Sequence, residues 1–522
     1  MSDVKHDLAI LGGGLAGLAL ARQLSREVPD LDLVVLDAGR HPVPEAAFKV
    51  GESSVEIGAG YLADTLGLRE HLDERHLKKF GLRCFFGAGD DIGRADELGA
   101  SRALPVSAWQ MDRGRLENHL HACLVADGVR VIEAAEVTGV DFATDRAAHV
   151  RYRRQGERHS LQAGQVVDAS GRRGLLRKRF GLTRRSTLDG NAAWFRIDER
   201  VRLDDWCDDA DWQARVPGAK RWLSTNHLMG EGYWVWLIPL ASGSTSIGIV
   251  ADAKRHPLRE LHTHERALGW LARHQPQCRE RIGGQAMDFH RFRSYSYSSE
   301  RVFSTRRDAG DWALVGEAGQ FVDPFYSPGL DFIAYGNIFV TDLVKRARAG
   351  EDVRARRLSH EHSLAAIHAS TLALYEGQYP GFGHFGLMTL KTIWDYAYYW
   401  SVLGFLHANG AFTDTALLSA HGRALAQARA RHLEVQRAFR EAAARSPTMV
   451  PAGRFADHAA MPLMRELNAS LAMPVEVQAL GGVFSARLAR LDALAAAILP
   501  RFAACTHAGA APGFESLVAE AA

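Results

Sequence analysis

The stretch DLAILGGGLAGLALARQL, residues 7–24, decides the fold of this 522-residue chain. Its apolar start predicts a buried parallel strand, its glycines predict a tight turn, and LAGLALARQL predicts a helix. The next segment, LDLVVLDA, predicts a second strand that ends at Asp37, twenty residues after Gly17. Together these elements form a βαβ unit, in which a carboxylate at this spacing can accept hydrogen bonds from the ribose of a dinucleotide.

Each glycine of the turn has its own physical role in such a unit. Gly12 permits the tight turn, Gly14 lets the backbone approach a pyrophosphate, and Gly17 allows the helix to pack closely on the strand. The helix N-terminus at Leu15 and Ala16 favours the negative charge of a phosphate. A bare structural turn is the alternative interpretation, because this glycine spacing alone occurs in many unrelated proteins.

The composition is that of an ordinary globular enzyme, with 47% apolar and 24% charged residues. Because 63 basic side chains stand against 61 acidic ones, nucleic acid is not an expected partner. The start of the chain has no signal-peptide pattern, and no apolar run approaches the roughly 18 residues of a membrane span. We therefore expect a cytoplasmic protein with no membrane span.

The cysteines and histidines do not follow any metal-binding spacing. The five cysteines are odd in number, widely spaced and in no C-x-x-C pair, which predicts reduced thiols. They are Cys84, Cys123, Cys207, Cys278 and Cys505. No H-E-x-x-H motif occurs either, so we predict no metal.

Two later segments extend the dinucleotide domain. VVDASGRRG at 166–174 and WALVGEAGQFVDP at 312–324 each predict an apolar strand that ends in a turn of small residues. We therefore expect an α/β fold whose cofactor domain, residues 1–340, is discontinuous. An antiparallel sheet is expected within it at 190–300, and a mostly helical C-terminal region at 341–522.

Two further motifs carry a family resemblance: WVWLIP at Trp234–Pro239 and FVDPFYSPG at Phe321–Gly329. With the glycine turn, they make the chain similar to the flavin-dependent halogenases, in the branch that acts on phenols, pyrroles or carrier-bound rings. The family pattern W-x-W-x-I-P, which lies beside the flavin, is matched by Trp234 and Trp236. Alone, the two tryptophans would be interpreted as core aromatics.

The resemblance implies a Rossmann-like FAD-binding domain of the flavin-hydroxylase type and a reaction of FADH2, O2 and halide, either bromide or chloride. FAD is expected to be non-covalent and to be reduced by a separate NAD(P)H-dependent flavin reductase. A lysine would hold hypohalous acid, or form a haloamine, and deliver the halogen to an electron-rich aromatic substrate by electrophilic substitution. That substrate would be a small arene, free or bound to a carrier protein.

The resemblance places this lysine a few tens of residues after the GE-containing loop at Lys49–Glu56. HLKKFGLRCFFG offers Lys78 and Lys79, and the family's Lys-x-Gly spacing, completed by Gly81, favours Lys79. Two surface lysines in a charged loop are the alternative.

The other site residues come from the same resemblance. Arg113 matches the flavin-proximal arginine, with a surface salt bridge as the alternative, and Glu317 stands where this fold usually has an aspartate for the ribityl chain. The remaining expected FAD contacts are Gly51, Glu52, Ser53, Asp323, Pro324, Gly329 and Leu330.

The chain departs from the family at the halide loop. Tryptophan halogenases have a glutamate before the serine matched by Ser327, whereas this chain has Tyr326, so an activated ring is expected as substrate rather than free tryptophan. The halide is expected at Ser327, Pro328 and Gly329. Because proline has no N–H donor, we predict that bromide is used at least as well as chloride.

Two other functions remain open at this stage. A halide-independent flavin monooxygenase, either a hydroxylase or an epoxidase, would share the fold, but the two halogenase motifs argue against it. A non-catalytic flavin-binding scaffold is the other alternative. In the C-terminal region, Trp394 and Tyr398 share a helix face and could either line an aromatic pocket or pack in the interior.

Overall fold

The structure is a computed structural model that describes residues 5–46, 49–87, 89–142, 147–284, 286–305, 308, 310–446 and 449–504. The strands are β1 (Lys5–Leu11), β2 (Leu33–Leu36), β3 (Leu77–Lys78), β4 (Leu82–Phe86), β5 (Asp96–Gly99), β6 (Trp109–Gln110), β7 (Arg130–Ile132), β8 (Glu136–Phe142), β9 (Ala148–Arg154), β10 (Glu157–Asp168), β11 (Thr183–Ile197), β12 (Thr225–Gly230), β13 (Tyr233–Pro239), β14 (Thr245–Asp252), β15 (Ala286–Ser299), β16 (Asp311–Leu314), β17 (Gln320–Phe321) and β18 (Phe455–Asp457). The helices are α1 (Leu15–Glu27), α2 (Glu56–Gly60), α3 (Arg69–Arg75), α4 (Arg113–Ala126), α5 (Leu175–Arg179), α6 (Ala210–Ala214), α7 (His264–His274), α8 (Pro276–Arg281), α9 (Gly329–Arg348), α10 (Arg354–Ala373), α11 (Phe385–Tyr398), α12 (Phe405–Ala408), α13 (Thr415–Ala420), α14 (Gly422–Arg445), α15 (Pro462–Ala469) and α16 (Val477–Ala504).

The chain divides into two compact units, each built from three segments. The first unit comprises Met1–Leu72, Met111–Ser186 and Ser296–Ala369, and the second comprises Asp73–Gln110, Thr187–Tyr295 and Ser370–Ala522. A domain boundary at residue 340 would cut α9, which is one continuous helix. The last division between the units falls between residues 369 and 370, within α10, and the second unit combines the expected sheet with the C-terminal helices.

The first unit contains the βαβ unit that the opening sequence predicts. Its sheet has the strand order β7-β2-β1-β10, with β16 alongside β10, and these strands are parallel. Ile10 lies between Val35 and Val167 in the register, and all three side chains are fully buried. Helix α1 packs against α4 and α9. Strands β9 and β8 extend the sheet in antiparallel order, and the predicted α/β architecture is confirmed.

The second unit contains a sheet with the strand order β15-β11-β14-β13-β12-β4-β5-β18. The ladders from β11 through β14 and β13 to β12 are antiparallel, whereas β12 and β4 run parallel. One face carries an apolar core that includes Phe195, Leu228, Val235, Ile247 and Ile249. Since side chains alternate along a strand, the neighbouring positions belong to the other face.

The C-terminal helices of the second unit pack around α11, which contacts α14, α15 and α16. Trp394 on α11 is fully buried and donates through its indole N–H to His432 Nδ1, 3.2 Å away. The ring of Tyr398 stacks on the same histidine, with centroids 4.2 Å apart. Both aromatics therefore pack in the helical interior.

Four of the five cysteines, those at 84, 123, 207 and 278, are free thiols, and Cys505 lies outside the described residues. Burial raises the pKa of the Cys278 thiol to about 12, which keeps it protonated. In the described part of the chain, no helix combines the length and apolar character that membrane crossing requires.

Candidate active site

The glycine turn of the first unit has the geometry that a pyrophosphate requires. Gly12 has a φ of +121°, and a Cβ there would lie 2.6 Å from the Ala169 carbonyl oxygen. A Cβ on Gly17 would overlap the backbone of Gly12, whereas a Cβ on Gly14 would meet no atom within 4 Å. No side chain caps α1, so its first N–H groups are directed at the space beside Gly14, as an anion needs. The turn therefore fits the dinucleotide.

Asp37 lies beside this turn and is held as a carboxylate. One of its oxygens accepts from Gly39 N at 3.0 Å, and the other lies 3.3 Å from His41 Nε2. Burial opposes ionisation, but the hydrogen bonds from His41 and Gly39 outweigh it and lower the pKa of Asp37. The Asp37 hydrogen bond correspondingly raises the pKa of His41. An ionised acceptor at this position fits a ribose hydroxyl.

Arg113 holds the GE-containing loop in place. It donates to the Val50 carbonyl at 2.7 Å and to Glu117 at 2.7 Å, and the Glu117 carboxylate is fully buried. Gly51 has a φ of +98°, and a Cβ there would lie 2.8 Å from the arginine. Glu52 is buried and accepts from the Met111 N–H through its carbonyl. The ion pair of Arg113 is thus internal, and the surface alternative does not hold.

Ser53 is also buried within this loop. Glu317 differs from the loop residues because its side chain is half exposed and lies 3.3 Å from Arg172 Nε. Its backbone carbonyl accepts from the Tyr297 hydroxyl at 2.7 Å. The first unit therefore brings the predicted FAD residues of the glycine turn, the GE loop and the Glu317 turn into one α/β framework.

The loop that leads into α9 contains consecutive residues with left-handed backbone. Tyr326 has a φ of +68° and Ser327 has a φ of +58°, although neither is a glycine. Such a conformation costs roughly 1–2 kcal/mol for each residue. Asp323, which is buried, accepts from Phe325 N at 2.9 Å, and Ser327 N donates to the Pro324 carbonyl at 2.9 Å. Local hydrogen bonds thus maintain a strained loop, a feature that is frequent at functional sites.

This loop limits the backbone donors for an anion. The Ser327 N–H already bonds within the loop, and Pro328, the N-terminal cap of α9, has no N–H. The helix begins at Gly329, where a Cβ would meet no atom within 4 Å. Leu330 is fixed against α2, since a Cβ on Gly58 would lie 2.6 Å from it. The first turn of α9 therefore offers backbone N–H donors to an anion.

In the second unit, one row of side chains crosses five strands on the face opposite the apolar core. The register pairs Cys84 with His227, His227 with Trp236, and Gly248 with both Trp236 and Trp194. We call this surface, with Trp234 added, the tryptophan face. Both motif tryptophans are buried, with 1% and 3% of their surface exposed, so their positions are determined by packing.

Hydrogen bonds fix the two motif indoles. Trp236 Nε1 donates to the Ser246 hydroxyl at 3.1 Å, and Trp194 Nε1 donates to the same oxygen at 2.8 Å. Trp234 Nε1 donates to the Tyr379 hydroxyl at 3.2 Å. A Cβ on Gly248 would overlap the Trp236 ring, so glycine lets the indole lie flat over β14. Both rings therefore have a single defined orientation.

Lys79 lies three residues before β4, the strand that contributes Cys84 to this face. Its N–H donates to the Ala108 carbonyl at 2.8 Å, and the N–H of Phe80 donates to Leu223 at 3.0 Å. Gly81 has a φ of +92°, which turns the chain into β4 and explains the Lys-x-Gly spacing. Lys79 is only 6% exposed, whereas Lys78 is exposed. The structure thus distinguishes the two adjacent lysines by burial.

Several residues with clear structural roles were not identified from the sequence. They are His41 beside Asp37, and His227, Ser246, Gly248 and Tyr379 on or next to the tryptophan face. The glycine and the serine sit at alternate positions of β14, which is the signal that could have identified them. Within the described ranges, no three His, Cys, Asp or Glu side chains form a group suited to a metal ion.

Comparison with protein families agrees with this geometry. A family model described as FAD binding domain matches residues 5–261. This range contains the glycine turn, Asp37, the GE loop, Arg113 and WVWLIP.

Known halogenases are similar over most of the chain. The flavin-dependent halogenase chlA of Dictyostelium discoideum is 26% identical over 432 residues, which cover 76% of this chain and 70% of that protein. The 1H-pyrrole-2-carbonyl peptidyl-carrier-protein chlorinase of Pseudomonas fluorescens is 26% identical over 361 residues, which cover 63% of this chain and 73% of that protein. The solved structure of halogenase PltM has the same fold, with a TM-score of 0.66 and 17% identity. The match covers 99% of this chain and 96% of the PltM chain.

Proposed function

Because the chain belongs to the flavin-dependent halogenase family, we propose that it halogenates an electron-rich aromatic substrate with FADH2, O2 and a halide. The observation that carries this proposal is the position of Lys79. It is a buried lysine three residues before β4, one of the strands of the tryptophan face, and the halogenase motif supplies two tryptophans of that face. Reduced FAD and oxygen would supply the oxidising power that converts halide to hypohalous acid.

The residues of the first unit would hold FAD. The glycine turn would bind the pyrophosphate, and Asp37 would accept from the ribose. Arg113 would keep the GE loop in position through its bonds to Val50 and Glu117. Asp323 accepts a backbone hydrogen bond from Phe325 within its loop, and FAD would be bound non-covalently.

Lys79 would hold hypohalous acid through ammonium N–H donors and direct the halogen toward the ring. In the transfer, the halogen–oxygen bond breaks, the arene carbon takes the halogen, and the arene loses a proton. The hydroxide that leaves takes up a proton, so the products are the aryl halide and water. The N–H donors of Lys79 stabilise the leaving hydroxide, and this requires a lysine that is kept away from bulk water.

Tyr326 and Pro328 support the choice of substrate and halide. Tyr326 is a neutral phenol where tryptophan halogenases have a carboxylate, which favours a phenol, a pyrrole or a carrier-bound ring. The Pseudomonas fluorescens relative is named as a chlorinase of a carrier-bound pyrrole. Few backbone donors remain beside Pro328, and weak coordination disfavours chloride more than bromide because chloride loses more hydration. Bromide is therefore expected to react at least as well.

The test combines the protein with FAD, a generic NADH-dependent flavin reductase, oxygen, and equal bromide and chloride. A panel of phenols, pyrroles and indoles is analysed by mass spectrometry. A halogenated product that disappears in Lys79→Met but persists in the matched control Lys78→Met supports the proposal. An oxygenated product without halogen would favour a monooxygenase. Loss of FAD binding in Lys79→Met would overturn the relay role of Lys79.

A further inference from the structure

His227 is the titratable imidazole in the row of side chains that crosses the tryptophan face. It stands directly opposite Trp236 on β13 and next to Cys84 on β4. Its ring centroid is 5.4 Å from that of Trp234, and the side chain is 3% exposed. The imidazole is thus enclosed by the aromatic residues that the halogenase motif supplies.

The contact between His227 and the backbone of Arg83 favours one tautomer of the imidazole. Nδ1 lies 3.3 Å from the carbonyl oxygen of Arg83, and a carbonyl oxygen can only accept. A ring proton on Nδ1 satisfies this contact, and in that tautomer the lone pair of the neutral ring is on Nε2. A neutral imidazole of this form can accept a hydrogen bond from an ammonium group.

Lys79 is the charged side chain that acts on this imidazole. Burial, and after it the positive charge of Lys79, lowers the pKa of His227 to about 3. Hydrogen bonds to the Arg83 and Thr225 carbonyls act in the opposite direction and raise this pKa, but by less. The ring stays neutral at physiological pH. The guanidinium of Arg83 is engaged elsewhere, in a buried ion pair with Glu97.

Backbone contacts bring the two residues to the same end of the sheet. The N–H of Thr225 donates to the Gly81 carbonyl at 3.0 Å, and Thr225 is paired with Leu82 at the start of the β4–β12 ladder. Lys79 precedes that ladder by three residues, and His227 shares its strand face with Thr225.

We propose that His227 is a positioning residue for Lys79, whose ammonium it holds beside Trp234 and Trp236 by accepting a hydrogen bond. The proposal rests on the proposed function of Lys79. His227 itself forms no covalent bond with the halogen. It limits the rotamers of Lys79, so that the hypohalous acid bound there stays in one place until the arene arrives. A freely rotating lysine would release more of the oxidant to solution.

The first experiment examines the pair without turnover. Ring nitrogen NMR of histidine-labelled protein, assigned by subtraction with His227→Gln, reports the hydrogen bonding of Nε2. In Lys79→Met the Nε2 resonance of His227 should shift toward the value of an imidazole without a hydrogen bond, and in Lys78→Met it should not shift. An unchanged Nε2 resonance in Lys79→Met would overturn the proposed hydrogen bond between Lys79 and His227.

The second experiment tests the role of the pair during turnover. His227→Phe keeps a ring of similar size without the lone pair, and should lower halogenated product per FADH2 oxidised by on the order of 10- to 100-fold. Hypohalous acid trapped in solution should rise, while the rate of FADH2 oxidation stays unchanged. His227→Gln retains an acceptor and should recover part of the yield. His256→Phe, at another buried histidine of this unit, is the matched control.

The outcomes separate the two proposals. A resonance shift together with an unchanged product yield in His227→Phe would overturn positioning. A wild-type protein that makes no halogenated arene with any substrate would overturn the proposed function and with it the role of His227 in turnover. The resonance shift would in that case still establish the hydrogen bond itself.

Discussion

Trp236 and Gly248 are directly opposite each other on β13 and β14, and the indole ring lies over the glycine. The same indole donates to Ser246, two residues earlier on β14. One short strand therefore both leaves room for the ring and determines its rotation. Trp194, from the strand on the other side of β14, shares the Ser246 oxygen.

Gly248→Ala should destabilise the protein by about 1–3 kcal/mol, because the added methyl group overlaps a buried indole. Urea unfolding followed by tryptophan fluorescence measures this change. Gly269→Ala is the matched control, since a Cβ there meets no atom within 4 Å and Gly269 lies inside α7. That control should raise stability by about 0.5–1 kcal/mol. Equal stabilities for the two variants would contradict the packing described here.

Ser246→Ala should destabilise the protein by about 1–3 kcal/mol, because two buried indole N–H groups lose their common acceptor. The yield of halogenated product per FADH2 should also fall, since Trp236 is no longer held in one rotamer. Chemical unfolding and product analysis measure the two effects. Ser244→Ala, on the adjoining turn, is the control and should change neither by a comparable amount. If Ser246→Ala left both the stability and the product yield unchanged, packing alone would orient the Trp236 indole.

Ser327→Gly should raise stability but lower activity. Glycine removes the cost of about 1–2 kcal/mol for the left-handed backbone, but it loses about 0.5–1 kcal/mol more in backbone entropy on folding. The net gain in the free energy of unfolding is therefore about 0–1.5 kcal/mol. Thermal unfolding gives the stability, and product formation at limiting bromide gives the activity. A variant that is less stable than wild type would argue against strain in this loop.

The hydrogen bond between His41 and Asp37 should make stability depend on pH. The pKa of His41 is raised in the folded protein. The stability that its protonated form contributes is therefore fully present below the unfolded-state pKa of 6.5 and is lost as the pH rises through the folded-state pKa. The pKa of Asp37 is lowered, so its contribution is lost at acidic pH, as the pH falls through the folded pKa.

The difference in melting temperature between wild type and His41→Gln should therefore be largest near pH 6 and decrease toward pH 9. Differential scanning fluorimetry across this range measures it, with His262→Gln, at a partly exposed histidine, as the control. A difference that is constant with pH would indicate that His41 acts only through packing.

Much of the first unit could be predicted from local sequence. The apolar strand before Gly12, the helix after Gly14 and the acid at Asp37 are close in the chain, so their periodicity and spacing predict the βαβ unit. The resemblance of WVWLIP and FVDPFYSPG predicted the family, and the comparisons with known proteins confirm it. The domain boundary expected at residue 340 stays a prediction. It lies within α9, and the helical periodicity that continues through this helix contains no signal of which unit the helix packs in.

By itself, the sequence determined the dinucleotide turn, the α/β class and the two adjacent lysines as candidates, because each depends on residues that are neighbours in the chain. Only the tertiary structure decided that Lys79 is buried while Lys78 is exposed, and that Arg113 forms an internal ion pair. It also brought His227, Trp236 and Gly248 into one row across three strands. Strand register sets such contacts between distant segments, and register depends on how whole sheet faces pack rather than on any local pattern.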